Sequence, residues 1–103
     1  MQRPFVHPSL DDISLEGMLY ALADPTRLAI VCKLKAQAHP VNCGEASPKD
    51  LPKSTLSHHY KVLRESGLIR SEKRGTEVFN SLRLEELEDK FPNVLKVVLE
   101  AAK

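Results

Sequence analysis

Long apolar runs are missing from this 103-residue sequence. None approaches the roughly 18 residues that a membrane-spanning helix requires, which excludes one. The opening stretch, MQRPFVHPSLDD, has no apolar core region and no A-x-A-like cleavage site, so export is not expected. Only two cysteines are present, too few for a disulfide scaffold, and they fit a reducing cytoplasm. Glycine is also scarce, four in all, and no glycine-rich phosphate loop is formed from them. The patterns H-E-x-x-H and G-x-S-x-G are absent as well. The length suits one domain and excludes a large multi-domain enzyme. The expectation is a protein that is not an enzyme and carries no cofactor. Nothing in the chain repeats and nothing is low in complexity.

What is there is a globular composition, 42% apolar and 28% charged. A monomer of this size buries only about 60–68% of its unfolded surface, so a partner subunit is a plausible source of further burial. The net charge of +1 hides an asymmetry. Residues 1–48 carry 4 Lys/Arg against 5 Asp/Glu, residues 49–75 carry 7 against 3, and residues 76–103 carry 4 against 6. A local positive patch on a nearly neutral chain meets phosphates without drawing the molecule to every polyanion.

Pro4 and Pro8 make residues 1–9 an arm. A first helix is expected over Leu10–Leu22, with Asp11, Asp12 and Glu16 complementing its dipole. Its apolar stripe is Leu15, Leu19 and Leu22, with Ile13 and Met18 beside it. Asp24-Pro25 is a start signal, N-cap then first helical residue, for a second helix to about Ala38. There Leu28, Val31, Cys32 and Leu34 lie on or near one face, and His39-Pro40 ends it. Residues 41–51 hold Gly44 and Pro48 and leave room for a turn or two of helix. Leu56, His59, Tyr60 and Leu63 have the spacing of a buried helical face, and Gly67 closes that helix. Its start has two competing registers, at Pro52 and at Ser54. LIRSEKRGTEVFNSL then reads as two short strands turning at Arg74-Gly75. Leu84 to about Lys90 and a further segment from near Pro92 are helical. In the last of these, Leu95, Val98, Leu99 and Ala102 make the apolar side, with Val94 adjacent.

A short helix feeding a well-formed one, followed by a basic hairpin, is the layout of a winged helix-turn-helix, mainly α with a small β-hairpin. The exposed side of the better-formed helix carries Ser54, Thr55, Ser57, His58 and Lys61. Short hydroxyls near a helix start approach base edges and phosphates closely. Lys53, Lys61 and Arg64 extend that surface, and Arg70, Lys73 and Arg74 ride on the wing. Each residue alone is an ordinary solvated group; the collinear set is the signal. His58-His59 does not make a metal or catalytic pair, because adjacent helical residues point about 100° apart. His59, on the apolar side, reads as a satisfied core histidine.

Asp24-Pro25-Thr26-Arg27-Leu28, followed by Ser54-Thr55-Leu56-Ser57-His58-His59-Tyr60-Lys61-Val62-Leu63-Arg64-Glu65-Ser66-Gly67-Leu68-Ile69, resembles the ArsR-type (arsenic-repressor-like) winged helix-turn-helix regulators. The likeness spans about residues 10–82. It implies a homodimeric repressor on a roughly palindromic double-stranded DNA operator, with two recognition helices in successive major grooves. The first and last helices would form the dimer interface. The resemblance puts Thr55, Ser57 and His58 against DNA, makes His59 a packing or hydrogen-bonding residue and Gly75 the wing turn. Domain limits follow: an arm over 1–9, the core over 10–82 and dimerisation helices over 83–103.

Many relatives respond to a metal ion or another effector. Here Val41 stands where one cysteine of a Cys-x-Cys pair would be, leaving Cys43 alone, and the last helix has no histidine. No metal site is expected from either pattern. Cys32, Cys43, His39 and His7 are the remaining scattered candidates, with Cys32 and Cys43 as a possible effector or redox pair. The effector is not specified by the sequence. The alternative function is a winged-helix protein-interaction module without DNA binding, served by the acidic stretch Glu85-Glu86-Leu87-Glu88-Asp89 and the apolar tail.

Overall fold

The structure is a computed structural model and describes residues 5–102. The expected first helix is broken in two. Leu10–Asp12 form one 3-10 turn and α1 runs over Leu15–Leu22. Between them Ile13 drops into the core, 2% exposed, and Ser14 caps α1 by accepting the Gly17 N–H at 3.1 Å. The stripe is also turned from the expected one. Met18, Ala21 and Leu22 face inward, while Leu15 and Leu19 face out. The break at Ser14 sets the phase, so α1 does not continue the rotation that starts at Leu10.

Helix α2, Pro25–Ala36, begins where Asp24-Pro25 places it. The Asp24 carboxylate accepts the Arg27 N–H at 3.0 Å, and this bond holds its pKa below the ordinary value. A two-residue strand, β1 (Val41–Asn42), follows, then α3 (Cys43–Ala46), which is capped by Asn42. Helix α4, Lys53–Glu65, starts directly after Pro52, which settles the register; Ser54 lies inside the first turn and is not the cap. Ser47 Oγ and Tyr60 Oη share a 2.7 Å hydrogen bond that pins the α3–α4 connection to α4. Burial pushes the Tyr60 phenol up to about 12.

At the end of α4, Gly67 takes φ +85°. Its N–H donates to the Arg64 carbonyl and that of Leu68 to the Leu63 carbonyl, the paired bonds of a Schellman cap. The wing is β2 (Ile69–Arg74) and β3 (Glu77–Leu82), antiparallel, with Ser71 opposite Asn80. The turn residues are Gly75-Thr76, one position later than expected; Gly75 has φ +63°. The sheet has three strands, order β1-β3-β2, where two were expected. β1 covers the edge of β3 that a bare hairpin would leave open, and Val41 is buried beneath it.

Helices α5 (Leu84–Lys90) and α6 (Val94–Ala101) complete the chain. Leu87, Leu95 and Leu99 join Met18, Ile30, Leu63 and Ile69 in one core cluster. Leu95 and Leu99, on the apolar side of a helix expected to form the dimer interface, are therefore buried inside the subunit.

Candidate nucleic-acid interface

Helix α4 presents two sides. His59, Tyr60 and Leu63 are buried, and Lys53, Ser54, Thr55, Ser57, His58 and Lys61 are exposed. No side chain caps its first turn. The N–H groups there are left for an outside acceptor, and a phosphate oxygen suits them.

The inner side is fixed by a buried polar knot. Arg27 donates from Nε to the Ala21 carbonyl at 2.8 Å and from Nη1 to His59 Nδ1 at 3.2 Å. Its guanidinium also lies 5.5 Å from the centre of the Tyr20 ring. Because Nδ1 accepts from an arginine, the His59 proton belongs on Nε2. Asp24 Oδ2 is 3.9 Å from the same nitrogen, so Asp24, Arg27 and His59 bind the start of α2 to the middle of α4. His59 is a core histidine in the sense expected.

On the wing, Lys73 and Arg74 are exposed near the turn. Arg74 is oriented by Glu72 at 3.0 Å and lies 4.9 Å over the Phe79 ring. Arg70 pairs with Glu86 at 3.3 Å. Arg64 does not join the exposed set. It is half-buried, stacks 4.5 Å over the Phe5 ring and donates to Ser71 Oγ at 3.5 Å. The helical periodicity alone put it outside; the arm folding back over α4 covers it.

Cys32 and Cys43 are both free thiols, half-buried at the margin of the core. Cys43 Sγ accepts from Asn80 Nδ2 at 3.2 Å, and Asn80 Oδ1 accepts from Ser71 Oγ at 2.7 Å, a small polar chain beneath the wing. His39 Nδ1 faces its neighbour's carbonyl and His7 is bound to the wing backbone. Among the described residues no three His, Cys, Asp or Glu side chains gather as a metal site. Two of the four carboxylates in the acidic stretch are occupied from within. Glu86 accepts from Arg83 and Arg70, and Glu88 accepts the Asn93 N–H.

A two-stranded wing within a three-stranded sheet, beside a helix with one buried and one polar-basic side, defines a winged helix-turn-helix DNA-binding protein. A helix-turn-helix domain family matches residues 22–72. An uncharacterised HTH-type transcriptional regulator of Bacillus subtilis, YceK, is 34% identical over 85% of this chain and 89% of its own length. Among solved structures, an ArsR family transcriptional regulator superposes with a TM-score of 0.66 at 27% identity, covering 86% of this chain and 97% of that one. The transcriptional repressor BigR from Xylella fastidiosa gives 0.58 at 27% identity, covering 75% and 85%. The chain belongs to the ArsR-type family of HTH transcriptional regulators. No helix among the described residues is long and apolar enough to cross a membrane.

Proposed function

We propose that the protein is a homodimeric, sequence-specific repressor that acts in the cytoplasm by occupying promoter DNA and does no chemistry of its own. The observation that carries this reading is the exposed face of α4 set beside a basic wing. Ser54, Thr55, Ser57 and His58 are exposed on that face and would meet base edges in the major groove. Lys53, Lys61, Arg70, Lys73 and Arg74 are exposed beside it and would meet phosphates or the neighbouring minor groove. The repressor assignment is supported by the likeness to BigR, a transcriptional repressor.

Dimerisation is supported by apolar side chains left outside the core: Leu15 at 38%, Leu19 at 42% and Tyr20 at 68% exposure on α1, and Val97 at 60% on α6. A two-fold dimer doubles the modest positive patch and matches a palindrome. Cys32 and Cys43 stand as the residues through which an oxidant or other thiol-directed effector would act, Cys43 through Asn80 and the wing.

The test is a selection from a pool of random duplexes with the reduced, metal-free protein at about 0.15 M salt. An enriched palindrome with half-sites about 10 base pairs apart is the expected result. A folded dimer that enriches nothing overturns the reading and turns attention to a protein partner.

A further inference from the structure

The segment before α1 is strapped across the recognition half of the molecule. Phe5 lies under the Arg64 guanidinium, on α4. Two residues on, His7 Nε2 accepts the backbone N–H of Ser71, on β2, at 2.9 Å. Arg64 in turn donates to the Ser71 hydroxyl. Phe5, Arg64, Ser71 and His7 thus form a closed circuit joining the last turns of α4 to the wing. The strap is fastened further along. Arg83 Nη1 donates to the Pro8 carbonyl at 2.9 Å, and Lys90 Nζ donates to the carbonyls of Leu10 and Ile13, each at 2.6 Å.

The bond at Ser71 is available because of strand register. β2 is an edge strand, with β3 on one side only. The Arg83 N–H donates to the Leu68 carbonyl at 2.9 Å, and alternation from that pair turns the Ser71 N–H away from β3. His7 is the acceptor it finds. That role requires the neutral ring with its proton on Nδ1, because an imidazolium has no free lone pair. The charged groups facing this imidazole are Arg64 from α4, Arg70 from β2 and Arg83 from the β3–α5 junction. Glu86 stands behind them and is held by Arg70 and Arg83.

We propose that Phe5 and His7 are positioning residues of the DNA-binding surface: they hold wing and recognition helix in one fixed relation, and protonation of His7 releases the wing. Burial, then the three arginines, keep the His7 pKa below its ordinary 6.5. The sign follows. The strap is closed above that value and opens as the pH falls through the lowered one. Its consequence for DNA rests on the DNA-binding reading; the strap itself does not.

Nuclear magnetic resonance on the full chain tests the strap without DNA. The Ser71 amide is expected to be protected from exchange and His7 to carry its proton on Nδ1. His7→Ala removes that protection, while His7→Gln, whose side-chain oxygen accepts but never titrates, restores part of it. Equal Ser71 exchange in the native protein and His7→Ala overturns the proposal. With the duplex enriched above, affinity is compared at about pH 7.5 and at an acid pH where resonance shows the His7 ring of the native protein protonated. The native protein is expected to lose about three- to tenfold more than His7→Gln, the scale of one net hydrogen bond. The other histidines, His39, His58 and His59, are the same in both proteins, so whatever they contribute cancels in that ratio. An identical pH response in the two also overturns the proposal. Should no duplex bind at all, the DNA-binding reading falls and takes the DNA half of the proposal with it, while the amide and tautomer measurements still decide whether the arm holds the wing.

Discussion

Gly67 combines two demands at one position. Its φ of +85° lies in the left-handed region, and a β-carbon there would run into Ile13. Gly67→Ala is expected to cost at least about 1–2 kcal/mol from the backbone alone, with the clash added. Thermal denaturation reads this as a fall of about 4–8 °C per kcal/mol for a domain of this size. The exposed residues divide by what they touch. Ser57→Ala or His58→Ala should change which duplexes are preferred, by about 1–3 kcal/mol at the affected base pair. Lys73→Ala should weaken all duplexes alike and reduce the salt dependence by about one unit of slope. Selection profiles and salt titrations of the three variants check this, and a Lys73 variant that alters preference instead would count against the assignment. Gly67 and the buried set His59, Tyr60 and Leu63 were legible in the sequence, because α4 is amphipathic and ends on glycine. Arg64 was misplaced, since its partner Phe5 is 59 positions away and no local pattern announces it.

At the scale of elements, the wing is anchored by a clamp at its base. Arg83, buried, donates from Nε to Glu86 Oε1 at 3.0 Å and from Nη2 to Oε2 at 2.8 Å. These bonds, with a further contribution from Arg70, lower the Glu86 carboxyl from 4.5 to about 2. The clamp therefore stabilises fully above about pH 4.5 and is lost as the pH falls toward 2. Glu86 is two-fifths exposed, so screening keeps its worth near about 1 kcal/mol. Glu86→Gln should lower stability by that amount at neutral pH and flatten the acid limb of the stability curve, as read by denaturant titration across pH. Element boundaries were legible where a chemical signal marks them. Asp24-Pro25 and Gly75 are such signals. The break at Ile13-Ser14 was missed because Asp11 and Asp12 read equally well as first-turn acids of one longer helix. β1 escaped notice because two residues carry no periodicity; only the open edge of β3 calls it into being.

For the whole molecule, the apolar residues outside the core matter most. Leu19→Glu places a charge on the α1 face without touching the buried Met18, Ala21 and Leu22. Light scattering should then show a monomer, and affinity for a palindromic duplex should fall with it. A Leu19→Glu dimer would move the interface elsewhere. The contact between Lys90 and the carbonyls of Leu10 and Ile13 joins positions 80 and 77 residues apart in the chain. In the cell a chain grows by about 5–20 residues per second, so on the order of several seconds separate the emergence of the arm from that of its fastener. In the later part of that interval, once Lys53–Glu65 are out, the recognition helix can already exist while the Lys90 fastener of the arm cannot. The nascent chain is therefore expected to complete the bracing of its DNA-binding surface only once Lys90 has emerged.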